Sequence, residues 1–545
     1  MSIKGEYDLI VCGGGHAGCE AINIASKFKI NVLLITSNLD TLSQMNCNPS
    51  VGGQAKGHLV CEIDSLGGVM GKQANDSGIH FKLLNSSKGE SVQSPRIQCD
   101  KVAYSMGVKQ RLSVNPRIKL LQASVEEVIV SKCSVKGVRL NLGFSVYSKA
   151  VIITTGTYIN GDVFIGKSNH TTRYNQFGKG LSQNFKSFGV ETRVFKTGTP
   201  PRVLGSSINF SKCYRQKSDK SPTYFGYAKQ KQNLKVFRDC WITNTNLSVH
   251  SWVYDNIHNS RSYSKENYMG PRYCPSIEDK IIKFKTNPKH KVFLEPESLK
   301  TDEWYVSGVS NSLPLKLQYK LLKNIKGLEG CFITKPGYSI QYDYIPSVNI
   351  TPSLECKNVK GLFLAGQING TTGYEEAASQ GLVAGLNASL YVLNEKPVYF
   401  KGENSYIGVL VNDIASKEVL EPYRVFTYRA DNRLVLNYES ACFRMLSISK
   451  AYMLLGKDVI HNLTLQNKLI QSWTSYFTKN KRLVNKNFNK LSTFLKRNVM
   501  YRLKYSNYLK SRSFSSKAVL NPTIEGGIGG IRNEFKDKWI LKKIK

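Results

Sequence analysis

The stretch YDLIVCGGGHAGCEAINIASK, residues 7–27, decides the fold of the first part of the chain. It predicts a short apolar strand, a glycine-rich turn and a helix with small apolar residues for packing. A second apolar strand follows at residues 31–36. The three pieces form a unit of about 30 residues that is typical of a doubly wound parallel sheet.

The turn Gly13-Gly-Gly-His-Ala-Gly18 has the GxGxxG spacing of dinucleotide-binding proteins. The first glycine allows a tight turn, the second admits a pyrophosphate, and the third lets helix and strand pack closely. The pyrophosphate is expected at the N-terminus of the helix, where free N–H groups favour an anion. The acid that usually binds the ribose is missing after the second strand, and Glu20 lies inside the helix. We therefore expect other groups, hydroxyls and amides among them, to hold the ribose.

Two later segments favour FAD over NAD as the dinucleotide. Residues 150–158, AVIITTGTY, predict an apolar strand that ends in a Thr-Gly turn. Residues 361–381 predict a strand that ends near Gly366 and a glycine-rich entry to a helix. A helix N-terminus aimed at a flavin stabilises negative charge on the reduced ring. An ordinary loop is the weaker alternative, because the three pieces occur in the right order.

Composition restricts the class of protein. The chain has 545 residues, of which 41% are hydrophobic and 21% charged, so it is long enough for several globular domains. Its apolar runs fall short of the ~20 residues that span a membrane. The N-terminal sequence has neither a signal-peptide nor a transit-peptide pattern, so we expect a cytoplasmic protein. None of the twelve cysteines has CxxC spacing, which argues against a zinc site, and no metal is predicted.

The charge is strongly basic, with a net value of +37. A polyanionic partner and AT-biased codon usage both explain that number. The distribution is more informative, because no acidic residue lies between Asp458 and Glu525 while Lys and Arg recur throughout. Tyr501, Tyr505 and Tyr508 are interleaved with these cations. A basic helical region with aromatics suits an RNA backbone, with base stacking as a second contribution.

The predicted fold class is α/β. A Rossmann-like FAD-binding domain covers residues 1–198 and 336–397, with further strands expected at 118–122, 127–130 and 146–154. Residues 199–335 show no sustained period and read as an inserted mixed domain. Helical periods dominate residues 398–545, and we expect this basic region to bind RNA or a partner.

Long motifs give the chain a resemblance to the MnmG family, also called GidA, of tRNA uridine-5-carboxymethylaminomethyl modification enzymes. The resemblance runs from Asp8 to about residue 509. The segments that carry it are residues 13–18, 40–60, 84–89, 196–202, 270–280, 293–297, 336–344, 365–378 and 421–430.

The resemblance implies a homodimeric flavoprotein that takes hydride from NADH and works with the GTPase MnmE on the wobble uridine of certain tRNAs. Methylene-tetrahydrofolate supplies one carbon, and glycine or ammonium supplies nitrogen. Residues 199–335 then become the NADH-associated domain. The residues carried over for FAD are Gly13, Gly14, Gly15, His16, Ala17, Gly18, Val125 and Gln367. Those carried over for NADH are Gly270, Pro271, Arg272, Tyr273, Cys274, Pro275, Ser276, Ile277, Glu278, Asp279, Lys280, Ile281, Ile282, Lys283 and Phe284.

Cys47 and Cys274 match two cysteines that the family keeps in its active site. C5 of uracil is a poor nucleophile until a group adds to C6, and a thiolate adds readily. A second thiol can act as general acid or base at C5. Which cysteine takes which role is left open, and buried structural cysteines are the alternative. By their place in or near these motifs, Lys56, His58, Arg96 and Arg202 could hold a phosphate or tRNA, and Asp343 could place a carboxylate near the flavin. For all five residues a structural hydrogen-bonding role is the commoner one.

The C-terminus departs from the family, which usually continues through further short helices, so docking of MnmE and tRNA is expected to differ. Two other functions are weighed. A folate- and FAD-dependent tRNA uracil-5-methyltransferase of the TrmFO type shares the FAD domain but lacks the long basic helical region. A flavin-binding RNA scaffold without activity fits less well, because both cysteine loops are intact.

Overall fold

A computed structural model describes residues 7–166, 168–169, 179–226, 237–260, 275–480, 488 and 491–512. The strands are β1 Tyr7–Cys12, β2 Val32–Thr36, β3 Ser50–Gly52, β4 Gly78–Leu84, β5 Ser94–Cys99, β6 Ile118–Gln122, β7 Val125–Ser131, β8 Ser134–Leu140, β9 Ser145–Ile153, β10 Asp162–Ile165, β11 Ser168–Asn169, β12 Arg193–Thr199, β13 Arg202–Leu204, β14 Tyr214–Gln216, β15 Cys240–Asn244, β16 Lys291–Pro296, β17 Glu303–Ser307, β18 Ile333–Lys335, β19 Tyr338–Tyr344 and β20 Leu362–Leu364.

Helices cover or link these strands. They are α1 His16–Ala25, α2 Lys56–Ser65, α3 Met70–Asp76, α4 Lys101–Ser113, α5 Lys179–Ser187, α6 Leu247–Asn256, α7 Ile277–Lys283, α8 Leu315–Lys323, α9 Tyr374–Val392, α10 Tyr406–Ser416, α11 Ala441–Arg444, α12 Leu446–Ala451, α13 Lys457–Asn480 and α14 Thr493–Arg512.

The largest sheet holds the predicted dinucleotide-binding unit. Its strand order is β6-β2-β1-β9-β8-β7, and β20 pairs with β9. The strands β6, β2, β1, β9 and β20 run parallel, whereas β7 and β8 add antiparallel strands. The α/β class is confirmed, and the strands predicted at 31–36, 118–122, 127–130 and 146–154 are β2, β6, β7 and β9.

Helices α1 and α9 cross in close contact on one face of this sheet. A Cβ atom on Gly381 would lie 2.0 Å from the carbonyl oxygen of Ala17, and one on Gly385 would lie 2.4 Å from that of Ala21. Any larger residue at these two glycines would push the helices apart. The contact fixes the beginning of α9 relative to the glycine loop before α1.

Residues 202–335 build a six-stranded sheet in the order β14-β15-β16-β17-β13-β18. Its strands pair antiparallel, and α6, α7 and α8 pack with it around a separate hydrophobic core. A four-stranded sheet, β11-β10-β19-β12, lies where the chain enters and leaves this part. A three-stranded sheet, β3-β5-β4, carries the segment that follows Cys47. The exact domain limits remain a prediction.

Helices α11 to α14 share a third core with Trp473, Phe477, Phe488 and Val499 at its centre. Tyr501 is also buried, so its ring packs inside the protein and is not available to stack on RNA bases. Tyr505 and Tyr508 lie where the structure describes no side chains. Among the described helices, none is both long enough and apolar enough to cross a bilayer.

Candidate active site

The glycine loop between β1 and α1 has the geometry that its sequence predicts. Gly13 has φ +114°, and a Cβ there would lie 2.4 Å from the carbonyl oxygen of Thr154. A Cβ on Gly18 would lie 1.8 Å from the carbonyl oxygen of Gly13, so this glycine lets α1 approach the turn. The Thr154 hydroxyl donates to the carbonyls of Cys12 and Gly13, which ties the loop to the end of β9.

The space beside the loop fits a dinucleotide. A Cβ on Gly15 would meet nothing within 4 Å, and the same holds for Gly156. Gly15 precedes α1 without a side-chain cap on the helix, so the N-terminal N–H groups face this space. Among the described residues, no group partners the buried hydroxyl of Thr155 or the Nε2 of His16. These features are those of a cradle for a polar, anionic ligand.

Segments from several elements line the cleft. Val125, predicted from the family motif, is one of them. The cleft residues that sequence reasoning did not assign to the site include Thr36, Ser37, Gln44, Asn46, Ala123, Ser124, Thr155, Tyr158, Ile159 and Leu181. Thr36 and Ser37 are hydroxyls at the end of β2, where the missing acid was expected. Glu20 lies inside α1 and not at the end of β2, where a ribose-binding acid was expected. It accepts hydrogen bonds from the backbone N–H groups of Val69 and Met70, and so it caps the beginning of α3.

The beginning of α9 carries buried charge. Gln367 lies in a short 3-10 turn after Gly366, whose φ is +92°. Glu375 and Glu376 occupy the first helical turn, and Lys56 Nζ lies 2.6 Å from Glu375 and 3.1 Å from Glu376. Burial raises the pKa of Glu375, but the Lys56 charge outweighs it and holds that pKa below its ordinary value. The pairing stabilises two carboxylates that would otherwise be costly to bury.

His16 contributes a flat neutral ring to the same region. It stacks on Tyr374 with ring centroids 4.5 Å apart. Burial lowers the pKa of His16 to about 4, with opposing contributions from Glu375 and Lys56. His16 is therefore neutral at physiological pH, and its role as a contact to FAD stays a prediction.

Cys47 lies directly after the cleft residue Asn46, and its side chain is partly exposed. Its backbone N–H donates to the hydroxyl of Tyr374, with 2.6 Å between the two atoms. Its Sγ lies 3.3 Å from the hydroxyl of Tyr305, on β17 of the six-stranded sheet. The thiol therefore lies between the cleft at the glycine loop, the beginning of α9 and the six-stranded sheet.

Arg202 fixes the backbone of the cysteine loop. Its Nη2 donates to the carbonyls of Asn46 at 2.6 Å and of Cys47 at 3.0 Å. Its Nε pairs with Glu297 at 3.1 Å, and Lys101 pairs with the same carboxylate at 3.0 Å. Burial alone would lower the pKa of Arg202, but Glu297, Tyr305 and Cys47 together hold that pKa above its ordinary value.

The segment predicted to bind NADH is described in part. Residues 270–274, Cys274 among them, lie outside the described residues. The prediction that Cys47 and Cys274 act together on uracil therefore stays a prediction. Residues 277–283 form α7, which begins with a capping box between Ser276 and Asp279. Ile277 and Ile281 are buried in the core of the inserted part, and Lys280 donates to the carbonyl of Gly308 at 2.6 Å.

The other candidates have structural partners or surroundings. His58 is fully buried. Arg96 pairs with Glu295 at 2.6 Å. Asp343 accepts hydrogen bonds from Asn160 at 2.6 Å and from Ser182 at 2.7 Å. Arg96 and Asp343 therefore connect neighbouring elements, which is the commoner of the two roles expected from the sequence, whereas His58 is buried without such a contact among the described residues.

Comparison with known proteins points to one family. The family model of glucose inhibited division protein A, GIDA, matches residues 8–396. A relative from Thermodesulfovibrio yellowstonii, tRNA uridine 5-carboxymethylaminomethyl modification enzyme MnmG, is 43% identical over 86% of this chain and 75% of its own length. A protein with the same name from Lactococcus lactis is 44% identical over 83% of this chain and 73% of its own length.

Solved structures give a matching result. GidA from Aquifex aeolicus in one crystal form superposes with a TM-score of 0.87 at 38% identity, covering 94% of this chain and 90% of the other. A second crystal form gives a TM-score of 0.85 at 35% identity, with 94% and 89% covered. The likeness therefore extends beyond the glycine loop to the inserted sheet and most of the helical region.

Proposed function

We propose, since the chain belongs to the glucose inhibited division protein A family, that it is a flavin-dependent enzyme that modifies C5 of the wobble uridine of tRNA. The proposed added group is carboxymethylaminomethyl, as in the names of its relatives, or aminomethyl where ammonium supplies the nitrogen. The observation that supports the proposal is a partly exposed thiol, Cys47, next in sequence to Asn46, which lines the cleft at the glycine loop. A uracil-modifying flavoprotein needs both features side by side.

FAD is the proposed cofactor. The loop from Gly13 to Gly18 and the N-terminus of α1 would hold its pyrophosphate, Val125 would line its cleft, and the turn at Gln367 would lie by its ring system. When bound, FAD would supply redox chemistry, the exchange of hydride with a bound partner. Within the described part of the chain, the space beside Gly15 is open and the buried Thr155 hydroxyl has no partner, and both features support this fit.

Cys47 and Cys274 share the chemistry on uracil. One thiolate adds to C6, and the C5–C6 π electrons move toward O4, so that C5 becomes nucleophilic. C5 then bonds to the methylene carbon of the iminium that the one-carbon unit forms with glycine or ammonium, the C=N π electrons pass to that nitrogen, and a base removes the C5 proton. The thiolate finally leaves C6 and the double bond returns. The second cysteine is the proposed acid or base in this sequence.

The reaction needs further participants, which we propose from the family. NADH supplies reducing equivalents through the segment 270–284, methylene-tetrahydrofolate supplies the carbon, and glycine or ammonium supplies the nitrogen. The GTPase MnmE and a second copy of this chain complete the assembly. The basic helices α13 and α14 are the proposed tRNA contact, and the exposed Lys479 and Lys504 support this surface.

Nucleoside mass spectrometry tests the proposal. Cells that lack their own enzyme of this type are given the present chain, with and without MnmE, and their tRNA is digested. We expect a carboxymethylaminomethyl- or aminomethyl-type mass at the wobble uridine. A gain of 5-methyluridine would instead favour the folate-dependent methyltransferase. Bound FAD without NADH oxidation or any new nucleoside would favour an inactive scaffold.

A further inference from the structure

A tyrosine of the six-stranded sheet contacts the thiol of Cys47. Tyr305 on β17 brings its hydroxyl to 3.3 Å from Cys47 Sγ. Only 3% of Tyr305 is exposed, so its phenol has one well-defined direction. A phenol donates a hydrogen bond to a thiolate, and such a bond favours the charged form of its acceptor.

Arg202 acts on both members of this pair. Its guanidinium lies 5.0 Å from the centre of the Tyr305 ring, which is a cation–π distance. The same group donates to the carbonyl of Cys47 itself. Its position is fixed by hydrogen bonds that, among the described residues, go to Glu297, Thr199, Pro200, Asn46 and Cys47. A cation buried this deeply and held this firmly favours negative charge on a nearby sulfur.

We infer that Tyr305 and Arg202 are positioning residues for Cys47, setting the direction of its thiol and favouring its thiolate. The inference deepens the proposed function, since it rests on a catalytic role for Cys47. Neither residue needs to touch the uracil. Their effect is to make the thiolate available at neutral pH, where a free cysteine is mostly protonated.

Alkylation of Cys47 measures this effect without tRNA. The FAD-loaded full chain is treated with iodoacetamide between pH 6 and 9, and the tryptic peptide of residues 30–56, which contains Cys47 and no other cysteine, is quantified by mass spectrometry. Tyr305→Phe keeps the ring but removes the donor. We expect the midpoint of the reactivity curve to rise by about one pH unit, which makes alkylation at pH 7 about tenfold slower.

Arg202→Lys tests the second residue, because lysine keeps the charge but not the planar fork of donors. We expect Arg202→Lys to shift the midpoint of Cys47 alkylation to higher pH as well. If Arg202→Lys does not fold, the result for Tyr305→Phe alone tests the inference. Tyr214→Phe is the matched control, since Tyr214 lies on the same sheet and is 72% exposed. An unchanged curve in Tyr305→Phe, or an equal shift in Tyr214→Phe, would overturn the inference.

The result is separable from the proposed function. If Cys47→Ser still modified tRNA, the proposed catalytic role of Cys47 would be wrong. A shifted alkylation curve in Tyr305→Phe would even then show that Tyr305 favours the thiolate of Cys47. If Cys47→Ser abolished modification but Tyr305→Phe left alkylation unchanged, the proposed function would stand and the positioning role would fall.

Discussion

The backbone N–H of Cys47 donates to the hydroxyl of Tyr374, the first residue of α9, across a distance of 2.6 Å. One hydrogen bond therefore joins the cysteine loop to the helix that begins beside the dinucleotide cleft. His16 stacks on the other side of this tyrosine ring. This hydrogen bond ties the backbone of the cysteine to the beginning of α9.

Removal of this acceptor should loosen the loop. In Tyr374→Phe the ring still packs on His16, but the N–H of Cys47 loses its partner, which costs about 1–3 kcal/mol when the group stays buried. We expect a lower free energy of unfolding in urea for the FAD-loaded protein. Tyr254→Phe, at an exposed position on α6, is the control and should leave the unfolding curve in place. Equal stability of Tyr374→Phe and the parent would show that the hydroxyl does not hold the loop.

The two cysteines are expected to separate chemistry from folding. Cys47→Ser and Cys274→Ser should each retain bound FAD, measured by its visible absorbance, and should lose modification of the wobble uridine by at least about a hundredfold. Serine is a far weaker nucleophile than a thiolate but nearly the same size. Cys133→Ser, at an exposed position, is the control and should remain active. Normal modification by both active-site variants would remove the thiols from the mechanism.

The glycine loop offers a pair of matched substitutions. Gly15→Ala adds a methyl group that meets no protein atom within 4 Å, so the fold should persist while the methyl occupies the ligand's space. Gly18→Ala places a methyl 1.8 Å from the carbonyl oxygen of Gly13, so the helix cannot pack. We expect Gly15→Ala to keep its circular dichroism but to bind FAD at least about tenfold more weakly in a titration. Gly18→Ala should yield little folded protein. Parent-like FAD affinity in Gly15→Ala would place the pyrophosphate elsewhere.

The local parts of this structure were predictable and the long-range parts were not. The unit of β1, α1 and β2 follows from adjacent residues, because strand period, glycine spacing and helix packing are all local patterns. The six-stranded sheet at 202–335 gave no such pattern, because its antiparallel partners are often far apart in sequence. For the same reason, the sequence did not predict which residues surround Cys47. Tyr305 lies 258 residues from Cys47 and the carbonyl contact of Arg202 spans 155, and no spacing rule connects positions so distant.

The buried His58 should make the protein sensitive to mild acid. It is fully buried, and among the described residues neither ring nitrogen has a hydrogen-bond partner. Burial, reinforced by the charge of Arg444, lowers the pKa of His58 to about 3. Above pH 6.5 the ring is neutral in both the folded and the unfolded chain. As the pH falls from 6.5 toward 3, the unfolded chain takes up a proton that the folded chain refuses, so stability is lost.

Two buried acids act in the opposite direction. Burial raises the pKa of Glu20 to about 7 and that of Asp64 to about 6, so each contributes stability at low pH that is lost as the pH rises through these values. The total pH dependence of the parent therefore mixes opposing contributions. A comparison between two variants that differ only at His58 isolates the histidine.

Between pH 6.5 and pH 5.5, we expect the free energy of unfolding to fall by about 1 kcal/mol more in the parent than in His58→Leu. A histidine that stays neutral in the folded state costs that amount over this interval. Urea unfolding of the FAD-loaded protein, followed by tryptophan fluorescence at both pH values, measures it. The absolute stability of the variant is not the readout, since the substitution also changes packing against Tyr406. His258→Leu, at an exposed position, should keep the parent's pH dependence. An identical pH dependence in the parent and His58→Leu would mean that His58 accepts a proton in the folded state, and so that water or a polar group reaches its ring.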